Sequence, residues 1–347
     1  MLNGGGWWTT PKGVVQRAQA ADLVASSTVQ TPSRWRVRSL RDALPTDAAN
    51  DVRAWVDQRQ PPPERGPLAP AEGTQGYLQL ELARAYNAHL LETQRIDTAD
   101  WRRYAAQVDA LQQRRYPGLA LQADAQKSPA NAPPDRQVSI GWQHLGGRNH
   151  LRLGLQPVSH TLADDNRHLF SESELRLFDS AWRVDVQTGA VRLDHFTLYA
   201  VESLLPRDAM TGGLSGRFKI GIESQPQLQR PGRNAALIEG AGGYTWRLSD
   251  DVDAFALVGG GWGLRQSGYF YAMPTVGLVV REVFDMKTVL RLSEVTRPLG
   301  QREASRELTV TQSKYLDRHH SLVLTWRRVW QDGRAANEGQ VVLKRLF

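Results

Sequence analysis

From about Gln137 to Phe347 the chain alternates apolar with polar or small residues, segment after segment, with turn residues between them. Leu151-Arg-Leu-Gly-Leu155 is a typical piece. A period of two puts successive side chains on opposite faces of a strand, a pattern no amphipathic helix satisfies. Twelve such segments can be read: 138–145, 150–158, 174–186, 191–203, 216–224, 235–248, 253–265, 269–284, 287–295, 307–315, 320–330 and 339–347. Gly146-Gly147, Thr188-Gly189, Ser267-Gly268 and Asp332-Gly333 separate neighbours with hairpin chemistry. Connections that tight force antiparallel pairing. An even number of antiparallel strands joined in sequence is an up-and-down arrangement, and closing it removes the exposed edges. The expected fold is mainly β, an antiparallel up-and-down β-barrel of about twelve strands over 137–347, preceded by a small α-helical region.

That preface divides by composition. Residues 1–60 read as short helices, with helical spacing around Val14–Val24, 37–44 and 47–58, and with Thr10 suited to an N-cap before Pro11. Residues 61–76 form a Pro-rich linker, 77–121 a helical hairpin, and 122–136 a second linker. Isolated helices this short are marginal in water and must dock on something.

Whether the barrel's outer face meets lipid or water stays open at this stage. The mean hydropathy of −0.47 and the lack of any long apolar run exclude a helical membrane protein. A membrane strand needs only about 9–11 residues with one apolar face, so a barrel is untouched by that argument. The terminal Phe347 suits an outer-membrane barrel; Arg345 and the charged run Trp326-Arg-Arg-Val-Trp330 do not. A net charge of +7 would attract anionic partners, but the arginines are scattered as singles and pairs and no nucleic-acid motif accompanies them. A solvated or lumenal basic surface is the simpler reading, and no nucleic-acid partner is expected. The first eight residues, Met-Leu-Asn-Gly-Gly-Gly-Trp-Trp, show no basic segment followed by an apolar one, so no export signal is read there.

Chemistry is sparse. Zero Cys removes thiol catalysis, thiolate metal sites and disulfides from this chain. His160, Asp164, Asp165 and His168 are close enough in sequence to face one another, as a metal site or as a hydrogen-bonded polar loop. Glu202, Arg207 and Asp208 flank Pro206 at a strand end, and Glu294 and Arg297 precede Pro298 in a similar setting. These eight residues, His168 set aside, form a candidate polar cluster, structural or ligand-binding, inside the barrel. No catalytic residue, metal or cofactor is assigned. Gly240, Gly242, Gly243 and Gly259-Gly-Gly261 lie in strand patterns without a following helix, so they are not phosphate loops. In a barrel they leave room for bulky inward neighbours.

Leu151-Arg-Leu-Gly-Leu-Gln-Pro157, His160, Ser203-Leu-Leu-Pro-Arg-Asp208 and Glu239-Gly-Ala-Gly-Gly-Tyr244 resemble, in order, the C-terminal region of bacterial envelope proteins with an Lnb-type N-terminal periplasmic domain. Gln156 and Thr161 depart from that pattern, which usually carries Arg and Asp there. The likeness covers most of 130–347, and Thr10-Pro-Lys-Gly-Val-Val and Arg34-Trp35 resemble the stretch that follows the periplasmic domain. The resemblance implies that residues 1–60 trail a missing domain related to lipoprotein acyl transfer, whose Cys nucleophile is not in this chain. It also implies a bacterial cell-envelope location, outer membrane favoured, with outer-membrane lipid and a separate or fused periplasmic domain as partners. The expected function is a non-catalytic barrel module, anchoring or accessory to such a domain. The alternative is a soluble or periplasmic barrel or sandwich acting as a ligand-binder, hydrolase or acyltransferase through the cluster near His160.

Overall fold

The structure is a computed structural model that describes residues 11–25, 31–63, 70–118, 133–166, 169, 171–227, 230–283, 286–296, 299 and 304–347. Thr10, His168 and Arg297 lie outside the described residues.

The period-two segments become one antiparallel sheet. Its strands are β1 (Gln137–Leu145), β2 (Arg148–Gln156), β3 (Val158–His160), β4 (Glu172–Asp185), β5 (Val191–Leu204), β6 (Ser215–Gln227) and β7 (Arg230–Ser249). They continue as β8 (Val252–Leu264), β9 (Gly268–Ala272), β10 (Thr275–Val283), β11 (Met286–Val295), β12 (Ser305–Tyr315), β13 (His320–Gln331) and β14 (Arg334–Leu346). Apart from β2–β3 and β9–β10, each pairs with the next, and β1 pairs with β14 in register from Gln137↔Leu346 to Leu145↔Glu338, so the sheet closes. Two staves of the barrel are broken by proline, which cannot donate to a ladder. Pro157 divides β2 from β3, both beside β4, and Pro274 divides β9 from β10, both beside β8. Counting each broken pair once, fourteen strands make a closed barrel of twelve staves, the architecture the alternation predicts.

Turn chemistry fixes the registers. Gly146 and Gly147 both have positive φ (58° and 76°) between the paired residues Leu145 and Arg148, and Asp332 and Gly333 (49° and 72°) repeat this between Gln331 and Arg334. Positive φ at both central residues is the two-residue turn whose twist matches a hairpin. Glycines inside the strands make room instead. A Cβ at Gly263 would lie 2.2 Å from the Tyr269 ring, one at Gly261 2.6 Å from the Tyr271 hydroxyl, and one at Gly277 2.4 Å from the Phe255 ring.

Alternation also settles which side chains face the lumen. On β1, Val138, Ile140 and Trp142 are exposed while Gln137 and Gln143 are buried. On β6, Phe218 and Ile222 point out while Arg217 and Lys219 line the interior. β4 changes parity midway. Phe178 has φ 54°, costly for a bulky residue, and it and Leu177 turn to the same side as β5 bulges opposite between Thr197 and Tyr199. The bulge returns Asp179 to the lumen beside Arg176, 3.4 Å away.

The helices form a separate unit, residues 26–125 with 208–212, a short piece of the β5–β6 connection. Its elements are α2 (Ser33–Asp42), α3 (Thr46–Asp57), α4 (Pro70–Glu92) and α5 (Thr98–Arg115); α1 (Pro11–Ala20) is not part of it. Val37, Leu40, Val52, Val56, Leu82, Tyr86, Tyr104, Val108 and Met210 share one apolar core. This corrects the partition expected from composition. The segments 1–60 and 77–121 do not stand as separate regions, because α2 and α3 from the first and α4 and α5 from the second all contribute side chains to that core, α4 being buried nearly all round. The linker assigned to 61–76 is also shorter: α4 begins at Pro70, and a proline at the first helical position costs no intrahelical hydrogen bond. Asp97 caps α5 by accepting from the backbone N–H of Asp100 at 2.8 Å.

Candidate binding site in the barrel lumen

Sidedness places charge where a soluble barrel keeps its apolar core. Glu172, Asp179, Arg183, Glu202, Glu239, Asp253 and Lys344 are all buried, whereas Ile140, Leu153, Leu155, Trp182, Ile238, Val276, Leu324 and Leu343 are exposed on the outside. The lumen's own apolar patch is small: Leu204, Phe255, Leu257, Val279 and Val289 pack on Leu162.

Leu162 belongs to the segment Thr161–Asn166 between β3 and β4, which folds into the lumen rather than away from it. Asp164 is its anchor. Its carboxylate accepts from the Thr161 backbone N–H at 2.7 Å and from Lys344 Nζ at 3.0 Å, and Lys287 Nζ donates to its carbonyl oxygen at 3.0 Å. Ser313 Oγ donates to the carbonyl oxygen of Ala163. Three staves and the loop's own turn therefore hold one plug residue or its neighbours.

Beyond the plug lies a cavity of about 370 Å³. Six Lys or Arg side chains and four Asp or Glu side chains line it, with Thr309, Thr311, Thr325 and Gln340 on the β12–β14 side. Most of the charges are paired. Arg291 Nη2 donates to both Glu202 oxygens at 2.8 and 2.9 Å, Arg176 meets Glu174 at 2.6 Å, and His195 Nε2 meets Asp179 at 3.2 Å. Arg152 reaches Asp194 at 3.3 Å, Lys219 pairs with Glu223, and the Tyr271 hydroxyl donates to Glu239.

The residues selected from sequence scatter. Asp164 and Glu202 are lumenal, as described. His160 Nε2 is 3.2 Å from Ser173 Oγ across the β3–β4 pair, and Asp165 is half-buried beside Asp164 in the plug turn. Arg207 is bound through its backbone to Thr245 at 2.6 Å, and its guanidinium stacks 5.2 Å from the Tyr244 ring centroid. Asp208 belongs to the helical unit, where it pairs with Arg41 and accepts from the backbone N–H groups of Met210 and Thr211 at 2.9 and 2.7 Å. Glu294 faces outward and pairs at 3.3 Å with Arg306. The single lumenal cluster expected from these residues is therefore corrected: parity sends Glu294 to the outside while Arg291 goes in, and Asp208 leaves the barrel unit. Among the described residues, no group of three or more His, Asp or Glu side chains is placed to hold a metal ion.

Sequence reasoning missed Arg176, Arg217, Lys219, Glu239 and Arg291. The signal was present: each alternates with Leu, Ile, Phe or small residues, as in Arg217-Phe-Lys-Ile220. The charged run at the chain's end reads the same way once parity is known. Arg327 is lumenal and bridges Glu307 (3.0 Å) and Glu338 (3.4 Å), while Arg328 lies over Trp330, 5.1 Å from its ring centroid.

Among solved structures, the chain is similar to a KdgM porin in complex with disordered oligogalacturonate, at 12% identity and a TM-score of 0.38 over 61% of this chain and 99% of that one. It is similar to an outer membrane channel from Pseudomonas putida F1, at 10% identity and 0.39 over 66% and 100%. An anion-selective porin from Comamonas acidovorans matches at 10% identity and 0.29 over 61% and 98%. No curated protein matches by sequence. A family profile does: residues 126–345, the whole barrel but its last two residues, match a domain of unknown function, DUF7840, and the chain belongs to that family.

Proposed function

We propose that this chain is a non-catalytic outer-membrane β-barrel module of the bacterial envelope, anchoring or accessory to a periplasmic domain of the lipoprotein-processing type. The observation that carries the membrane part is the inverted polarity of the barrel, apolar outside and charged within. Water offers no reason to expose Ile140, Leu153, Leu324 and Leu343 while burying Glu202 and Lys344; lipid does. Dimensions agree. The shortest staves have 9 and 10 residues (β1 and β11), and tilted membrane strands need about 9–11. Aromatic side chains gather near both rims. Trp142, Trp182, Trp262 and Phe270 stand within three residues of strand ends at one mouth, and Phe218 and Trp246 within three of the other. Such girdles sit where hydrocarbon gives way to headgroups. No helix among the described residues is long and apolar enough to cross a membrane.

The link to a periplasmic domain rests on the resemblance in residues 130–347 and on the helical unit that precedes the barrel. The membrane reading is tested by fractionating a cell that exports the untagged protein and comparing heated with unheated samples on a gel. Sedimentation with outer membranes and heat-modifiable migration are expected. Recovery as a soluble monomer would overturn it. The periplasmic link is tested by crosslinking in the same cells, and it fails if no envelope acyltransferase-like protein is recovered with the chain.

A further inference from the structure

We propose that the lumen holds a binding site for a small solute bearing an oxyanion, a phosphate or a carboxylate, centred on Arg217. Arg217 stands directly across the β5–β6 ladder from Glu202, and in an ordinary lumenal pair the two would bind each other. Glu202 is already taken, because both of its oxygens accept from Arg291. What Arg217 has instead is the Met273 sulfur, 4.0 Å from its Nη2, and its Nε is buried without a partner. A thioether is a weak acceptor. Among the described residues no carboxylate lies within ion-pair distance of this guanidinium. A second positive charge, Lys219, lies two residues along the same face of β6.

A guanidinium facing a cavity without its acceptor is an unfinished interaction. Its planar fork of donors matches the two oxygens of a carboxylate or phosphate. Five of the six cations that line the cavity already face a carboxylate (Arg152 with Asp194, Arg176 with Glu174, Lys219 with Glu223, Arg291 with Glu202 and Lys344 with Asp164), so an arriving anion finds its unneutralised charge at Arg217. The space, about 370 Å³, lies at the small end of the roughly 300–1,000 Å³ range of ligand pockets. It admits a small solute rather than a folded partner.

Isothermal titration of the full-length protein in detergent with inorganic phosphate, acetate and glucose tests this. Phosphate or acetate is expected to bind and glucose not; which anion binds tighter identifies the ligand's class. Arg217→Met is expected to weaken binding at least tenfold. Glu202→Gln, which releases Arg291 from its carboxylate, is expected to tighten it severalfold, and this arm stands even if Arg217→Met does not fold. The proposal is overturned if neither anion binds, if glucose binds as well as they do, if Arg217→Met binds as the parent does, or if Glu202→Gln gives no tightening. Detergent hides the outer face in every arm, so failure here leaves the membrane reading untouched.

Discussion

Ile140→Arg separates a lipid-facing from a water-facing barrel by free energy. Ile140 is 51% exposed on the outer face of β1, with Val138 and Trp142 on either side along the strand and Leu343 and Leu153 across it. It stands near the middle of a nine-residue strand, so in a bilayer its side chain meets hydrocarbon. An arginine at the midplane of a membrane barrel costs about 2–4 kcal/mol, falling to about 0–1 near the interfaces. That is a loss of roughly 30- to 1,000-fold in the folding equilibrium, at about 1.4 kcal/mol per decade. The same substitution at Val191, the first residue of β5 and 64% exposed, falls at the rim and is expected to cost under about 1 kcal/mol. In water both positions would be ordinary surface, where substitutions stay within about 0.5 kcal/mol. Equilibrium urea titration of the protein folded into phosphatidylcholine vesicles measures both. The reasoning fails if Ile140→Arg and Val191→Arg shift the midpoint by the same small amount.

Lys344→Met removes one half of a buried pair and leaves the Asp164 carboxylate in the plug without its charged partner, a defect of about 3–5 kcal/mol. Hydrogen exchange is expected to accelerate over 161–166 well beyond the change in the outer strands, and Lys344→Met/Asp164→Asn is expected to recover much of it. Gly263→Ala puts a methyl where the buried Tyr269 ring lies 2.2 Å away, so the ring must leave its site, at a cost of about 1–3 kcal/mol in the urea midpoint. A midpoint equal to that of the parent would show that the ring has somewhere else to go. His89, buried on α4 with Nδ1 3.0 Å from Ser33 Oγ, has its pKa lowered below the usual 6.5, first by burial and then by Arg34 and Arg95. The unfolded chain then binds more protons than the folded one between the lowered value and 6.5, so the contribution to stability is complete above about pH 6.5 and declines as pH falls through that window. Exchange over α2 and α4 is expected to speed up from pH 7.5 to 5.5 in the parent and much less in His89→Leu.

The staves were legible because a β-strand buried on one face writes that face into every second residue. All twelve segments and the hairpin turns at Gly146-Gly147 and Asp332-Gly333 appear where the period of two puts them. The stretch 153–155 and its neighbours could not say which face meets lipid, since alternation is symmetric until charges are followed around the whole ring. The β4 bulge was also hidden, although adjacent Leu177-Phe178 is its trace: two apolar residues in succession break the alternation. The candidate site was the least legible part. Proximity in sequence brought Glu202, Arg207 and Asp208 together, but a strand end scatters consecutive side chains to the lumen, to the outer face and to the loop. Glu202's partner, Arg291, is 89 residues away, and no local pattern contains it.

That long-range partnership is the organising device of the lumen. Neighbouring staves are held by backbone ladders, but opposite walls of a twelve-stave ring share no ladder. Here charges reach across. Glu202 on β5 meets Arg291 on β11, and Glu172 at the start of β4 accepts from Arg281 on β10 and Lys287 on β11, five or six staves away around the ring. Desolvating such ions costs several kcal/mol each, so these braces are not an economical way to add stability. Their effect is to fix the shape of the interior: the cations and carboxylates are tied into shared pairs and bridges, and the plug at Asp164 is drawn into the same scheme by Lys287 and Lys344. In an interior where nearly every charge has a designated partner, a lumenal arginine left facing a sulfur atom is not a random surface charge. It marks the place where the protein's own complementarity stops and a solute's can begin.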